Sequence, residues 1–130
     1  MVKKIIVLIL SILISVNVFA NLRIMNNNVT KKSLDIETIY FGKTPYFSAS
    51  KLSKLYNIRV YNNKTTGKFV FYFESQHIKI TANSSFVMVG TNIKHMTSPA
   101  VQASNEIYVP VFSFLSILKK YVYADLKFHC

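Results

Sequence analysis

The feature that most limits what this chain can fold into is the run Asn105-Glu-Ile-Tyr-Val-Pro-Val-Phe-Ser-Phe-Leu-Ser-Ile-Leu-Lys-Lys120. Tyr108-Val109 favours a strand, and Pro110 suits the first turn of a helix, because it has no N–H to lose there and its φ is already helical. Val111, Phe114, Leu115 and Leu118 then fall at i, i+3, i+4 and i+7, one apolar helical stripe. Phe112 and Ile117 widen it, which predicts a helix buried on most sides. Lys119 and Lys120 close it at the negative end of the helix dipole.

The same plan occurs upstream, in Thr44-Pro-Tyr-Phe-Ser-Ala-Ser-Lys-Leu-Ser-Lys-Leu-Tyr-Asn57. Tyr46-Phe47 stands for Tyr108-Val109, and Ser48 stands for Pro110 as an N-cap. Ala49, Leu52 and Tyr56 repeat the helical spacing with Leu55 beside them, while Lys51 and Lys54 point away. A strand start follows each helix, Arg59-Val-Tyr61 and Tyr121-Val-Tyr123. Two such units suggest an internal duplication within one domain. The expected fold class is α+β: an antiparallel sheet wrapped around two short helices, in two related strand–helix–strand halves.

The doubled joint, carried by Tyr46, Phe47, Ser48 and Leu52 and again by Tyr108, Val109, Pro110 and Phe114, resembles the copper amine oxidase N-terminal-like domain. The resemblance covers Leu34 to Phe128 and implies the sheet-around-helices fold just given. Similar domains stand at the amino end of exported N-acetylmuramoyl-L-alanine amidases and other envelope proteins. The chain departs from that pattern in carrying Phe112 and Phe114 in one helix and Lys51 and Lys54 in the other, with no glycine after either. The resemblance does not bring copper or zinc with it, since those metals belong to separate catalytic domains of such proteins.

The rest of the chain reads as an export signal followed by hairpin strands. Lys3 and Lys4, the apolar core Ile5 to Val16 and the exit Val18-Phe19-Ala20 make residues 1–20 a signal peptide. The apolar run is shorter than the ~20 residues that span a bilayer. Cleavage after Ala20 removes 20 of 130 residues, leaving a 110-residue domain over 21–130 with its net charge lowered from +11 to +9 by the loss of Lys3 and Lys4. The location expected is periplasm or cell envelope, with no membrane span after cleavage. Strands are expected at Asn21–Met25, Leu34–Phe41, Pro45–Phe47, Lys68–Glu74, His77–Thr81 and Phe86–Val89, with a turn at Asn26-Asn-Asn28. Thr91–Ser104 reads as a loop or irregular edge around Pro99, and Val122, Ala124, Leu126 and Phe128 as a last strand.

Chemistry is sparsely represented. The five acidic residues Asp35, Glu37, Glu74, Glu106 and Asp125 fall in no His-Glu-x-x-His or comparable ligand spacing. His77 and His95 read as isolated sheet or loop histidines, and His129-Cys130 as a frayed end. Cys130 is the sole cysteine, so it is a free thiol or an intermolecular bridge. No catalytic, cofactor-binding or metal-ligating residue is assigned, and no cofactor is implied. The basic residues are scattered, with no block of five or six, which argues against a nucleic-acid partner.

In Phe69-Val-Phe-Tyr-Phe73 the phenylalanines share one face and read as core, leaving Tyr72 on the other. Tyr61, Tyr72 and Tyr123 are the first candidates for a patch that stacks on sugar rings. The expectation is therefore a non-catalytic envelope module that binds or positions, its partner peptidoglycan or another envelope protein. The alternative is the targeting domain of a truncated amidase (a peptidoglycan hydrolase), and a third reading is a homodimer formed through an open sheet edge.

Overall fold

A computed structural model describes residues 21–26 and 30–129. The export signal over 1–20, most of the Asn26–Asn28 turn and Cys130 lie outside the described residues. In chain order come β1 (Asn21–Asn26), β2 (Thr30–Phe41), β3 (Thr44–Ser48), α1 (Ala49–Leu55), β4 (Val60–Asn63), β5 (Lys68–Tyr72) and β6 (His77–Thr81). They are followed by β7 (Phe86–Val89), β8 (Asn92–His95), β9 (Val101–Ala103), β10 (Glu106–Pro110), α2 (Val111–Tyr121) and β11 (Lys127–His129). The fold is α+β. Its named strands form two antiparallel sheets rather than one, ordered β11-β1-β2-β3-β10-β9 and β4-β5-β6-β7-β8.

The two strand-to-helix joints meet at the centre of the larger sheet. β3 pairs antiparallel with β10, with Phe47 opposite Val109, Tyr46 opposite Pro110 and Ser48 opposite Tyr108. The Ser48 hydroxyl accepts the Lys51 backbone N–H at 3.3 Å, the N-cap expected of it. Pro110 sits one place earlier than predicted. It ends β10 as the N-cap of α2, with extended backbone at ψ 132°, and the helix proper starts at Val111. Its missing N–H still costs nothing, because that position lies ahead of the intrahelical ladder.

Core packing runs through α2. Val111, Phe114, Leu115 and Leu118 are fully buried, and Ile117 is nearly so. The Phe114 ring lies 6.0 Å from Phe47 in one sheet and 5.8 Å from Phe71 in the other, so one side chain bridges both layers. Phe69 and Phe71 form the buried face of β5 and Phe73 continues it just past the strand, with ring centroids 4.9 and 5.3 Å apart in succession. Phe112 breaks the expected pattern. It is 54% exposed, and among the described aromatics it meets only the Phe128 ring at 6.3 Å, on edge strand β11.

Helix ends and turns supply the other corrections. After α1, Ile58 N–H donates to the Ser53 carbonyl at 2.8 Å and Asn57 N–H to Lys54 at 3.3 Å, a left-handed stop with Asn57 at φ 54° where glycine is commoner. β4 then joins the smaller sheet beside β5. The second unit ends differently: Tyr121 is still helical, and Tyr123 N–H donates back to Leu118 at 2.8 Å. The expected strand from Val122 therefore shrinks to Lys127–His129, which pairs with β1 in the larger sheet, His129 opposite Arg23. Thr91–Ser104, read as a loop or irregular edge, contains β8 and β9, both edge strands of their sheets, with Pro99 between them. Ser104 and Asn105 turn β9 into β10 with φ of 51° and 63°, so Asn105 belongs to the turn and not to the strand.

Polar clasps fasten the loops, within the smaller sheet at Gly67 and between the two sheets at Gln102. Gly67 (φ 68°) accepts the Ala82 N–H at 2.8 Å, and a Cβ at that glycine would stand 2.8 Å from the Ala82 Cβ. Gln102 Nε2 donates to the Lys64 carbonyl at 2.9 Å, and the Tyr46 hydroxyl to the Pro99 carbonyl at 2.9 Å. No helix among the described residues is long and apolar enough to cross a membrane.

The bridging position of Phe114 sets the first test. Phe114→Ala is expected to lower stability by about 3–5 kcal/mol, whereas Phe112→Ala on the open side is expected to cost less than about 1 kcal/mol. Urea unfolding midpoints of the two variants check both.

Candidate functional site

Both helices release the chain toward the same end of the molecule, and a cleft of about 500 Å³ opens there. Asn57, Ile58 and Arg59 arrive from the stop after α1, Tyr72 to Ser75 from the end of β5, and Val122 and Tyr123 from the stop after α2. The Tyr72 backbone N–H donates to the Arg59 carbonyl at 3.0 Å, which fixes the Arg59 segment against β5. The Arg59 guanidinium then lies 4.6 Å from the Tyr72 ring centroid, a cation–π contact. His77 meets the same ring edge-on at 4.7 Å. Tyr72 is thus held between two nitrogen-bearing side chains.

Tyr123 is positioned by aromatic packing. Its ring stacks on Tyr56 at 5.3 Å and meets Phe73 edge-on at 5.5 Å. Burial raises its phenol pKa above the ordinary value, and the Glu74 carboxylate adds to the rise. The phenol therefore stays neutral and able to donate a hydrogen bond through the physiological range. The cleft offers ring faces, one guanidinium and one carboxylate, Glu74. Such a set can hold a sugar ring or a polar side chain by stacking and hydrogen bonding.

Of the three tyrosines singled out from sequence, Tyr72 and Tyr123 come together here. Tyr61 does not line the cleft; it is 47% exposed on edge strand β4, where its hydroxyl accepts from Asn63 Nδ2 at 3.1 Å. Arg59 was read as a strand start and as one of several dispersed charges, not as part of a site. Its place beside Tyr72 depends on the β4–β5 pairing, although its position two residues after a helix-ending Asn was a usable hint. His77 and His95 are exposed on β6 and β8, beside Tyr72 and Phe86 respectively. Among the described residues no three of His, Cys, Asp and Glu gather closely enough to hold a metal ion.

No family model, curated protein or solved structure matches this chain.

The raised Tyr123 pKa has a defined consequence for stability. A phenol that resists ionising in the folded state contributes fully below its unfolded value of about 10, and that contribution is lost as pH rises through the higher folded value. Tyr108 acts in the same direction, through burial first and then its 3.0 Å hydrogen bond to Glu106. The native state is expected to weaken as pH rises above about 10, and Tyr123→Phe to weaken less steeply than the parent. Denaturation midpoints measured across that range test the difference.

Proposed function

We propose that this chain is an exported, non-catalytic domain of the cell envelope that binds or positions, with the Tyr72–Tyr123 cleft as its contact surface. One observation carries the proposal: two tyrosine rings flank a cleft, one of them already backed by a guanidinium at 4.6 Å. Fixed rings of this kind suit the apolar face of a sugar, and the neighbouring Arg59 and Glu74 suit its hydroxyls. Peptidoglycan is the partner this reading favours, with another envelope protein second. The export signal over 1–20 rests on sequence, and its expected product begins at Asn21.

The resemblance to the copper amine oxidase N-terminal-like domain enters on the same footing. It is supported by the ladder at the sheet centre. A half-turn about an axis between Phe47 and Val109 carries Tyr46 onto Tyr108 and Ser48 onto Pro110, the correspondence read from sequence. A duplication of one strand–helix unit accounts for that register. It does not extend to the following strands, since β4 and β11 join different sheets.

The same resemblance motivates a second reading, in which the chain is the targeting part of an N-acetylmuramoyl-L-alanine amidase. A zinc-amidase reading frame directly downstream in the DNA would favour it over a free-standing module.

Sedimentation with purified peptidoglycan at physiological salt tests the leading reading. The parent is expected to be retained, and Tyr72→Ala to weaken retention about fivefold through loss of one stacking face. Absence of parent retention removes the wall as partner.

A further inference from the structure

A second cleft, of about 420 Å³, lies between β8 and the face of α2 that runs from Ser113 to Tyr121. Lys94 pairs across β8 with the buried Val87, so its side chain leaves the sheet on the helix side. Its Nζ stands 5.1 Å from the Tyr121 ring centroid, and the Nζ of Lys120 stands 5.3 Å from it. Two ammonium groups thus flank one phenol, and an anion placed between them is attracted by both. Gln76 Nε2 donates to the Tyr121 carbonyl at 2.8 Å and fixes this end of the helix.

Hydroxyl donors line the same cleft. Ser113 Oγ is buried in its wall with no hydrogen-bond partner among the described residues, and the Thr97 and Ser116 hydroxyls complete the lining. No carboxylate lines it. The helix C-terminus contributes about half a negative charge, which Lys119 and Lys120 in its last turn outweigh. Point-charge ammoniums and hydroxyls approaching from several sides suit a tetrahedral oxyanion, whereas a planar carboxylate is better met by a guanidinium fork.

We propose that this cleft binds a phosphate group, held between the Lys94 and Lys120 ammoniums with the Tyr121 hydroxyl as a further donor. The site shares no residue with the Tyr72–Tyr123 cleft and stands or falls independently of the function proposed for it. It also supplies a direct readout. The nearby Lys94 and then Lys120 hold the Tyr121 phenol pKa below its ordinary value, and a bound anion offsets their field.

The test is a titration of the full chain with inorganic phosphate, followed by 13Cζ-tyrosine NMR with the Tyr121 signal assigned from Tyr121→Phe. Phosphate is expected to move the Tyr121 pKa upward and to saturate. Lys94→Gln and Lys120→Gln are each expected to weaken affinity about tenfold, the scale of a charge-assisted hydrogen bond. Lys120 is exposed, so its variant keeps the fold even if Lys94→Gln does not. Lys54→Gln removes one charge on α1, and affinity is expected to stay unchanged. A linear, unsaturated response overturns the site, as does an equal loss in Lys54→Gln, since either means diffuse attraction to a basic protein. Glycerol 3-phosphate and phosphatidylglycerol vesicles then separate the sources. Binding of the first assigns the phosphate to a soluble ester, and capture by the second that Lys120→Gln abolishes assigns it to a lipid headgroup; either sustains the site.

Discussion

The Phe114 ring is the contact on which the two-sheet arrangement depends. Two twisted sheets need a shared filling, and α2 is the element that reaches both, with Phe114 between Phe47 and Phe71. Around that ring the buried positions of β5, β6 and β7 (Phe69, Phe71, Ile78, Ile80, Val87 and Val89) close one side. Leu22, Ile24, Ile36, Phe47 and Val109 close the other. The helix can occupy this position because Pro110 ends β10 in an extended conformation and lets the chain turn at once into Val111. Strand, turn and helix are therefore one unit in mechanical terms.

Local chemistry was readable where it depends on residues close in sequence. The Ser48 cap, the buried stripe of α2 and the phenylalanine face of β5 follow from spacing alone, since a helix or strand period is a property of a few neighbouring residues. What was not readable depends on distant partners. Phe112 is as apolar as Phe114, but only the position of the sheets decides which of them is covered. Asn92–His95 looks like loop in isolation and becomes a strand because Val87 and Met88 offer it a ladder. The division of eleven strands between two sheets likewise depends on long-range pairing, such as β11 returning to β1.

The site shows the same division. Tyr72 and Tyr123 were visible as aromatics on alternating positions, yet they lie 51 residues apart and are joined only by the fold. Their meeting follows from how each helix stops. Asn57 in a left-handed conformation turns the chain from α1 toward Arg59, and the backward hydrogen bond from Tyr123 to Leu118 turns the chain from α2 to the same end. Tyr56, the cap of the first helix, then stacks on Tyr123 from the exit of the second. The cleft is thus built from helix-termination signals rather than from a binding motif.

Lys94 has one more effect, arising from where its strand stands. β8 is the outermost strand of its sheet, with one side of its backbone unpaired by any named strand. A charged side chain turned inward on such a rim is a recognised guard against self-association, because an added strand would force the ammonium under cover. The smaller sheet is therefore protected from growing in that direction. A second copy attaching by backbone pairing would have to choose a different border of the molecule.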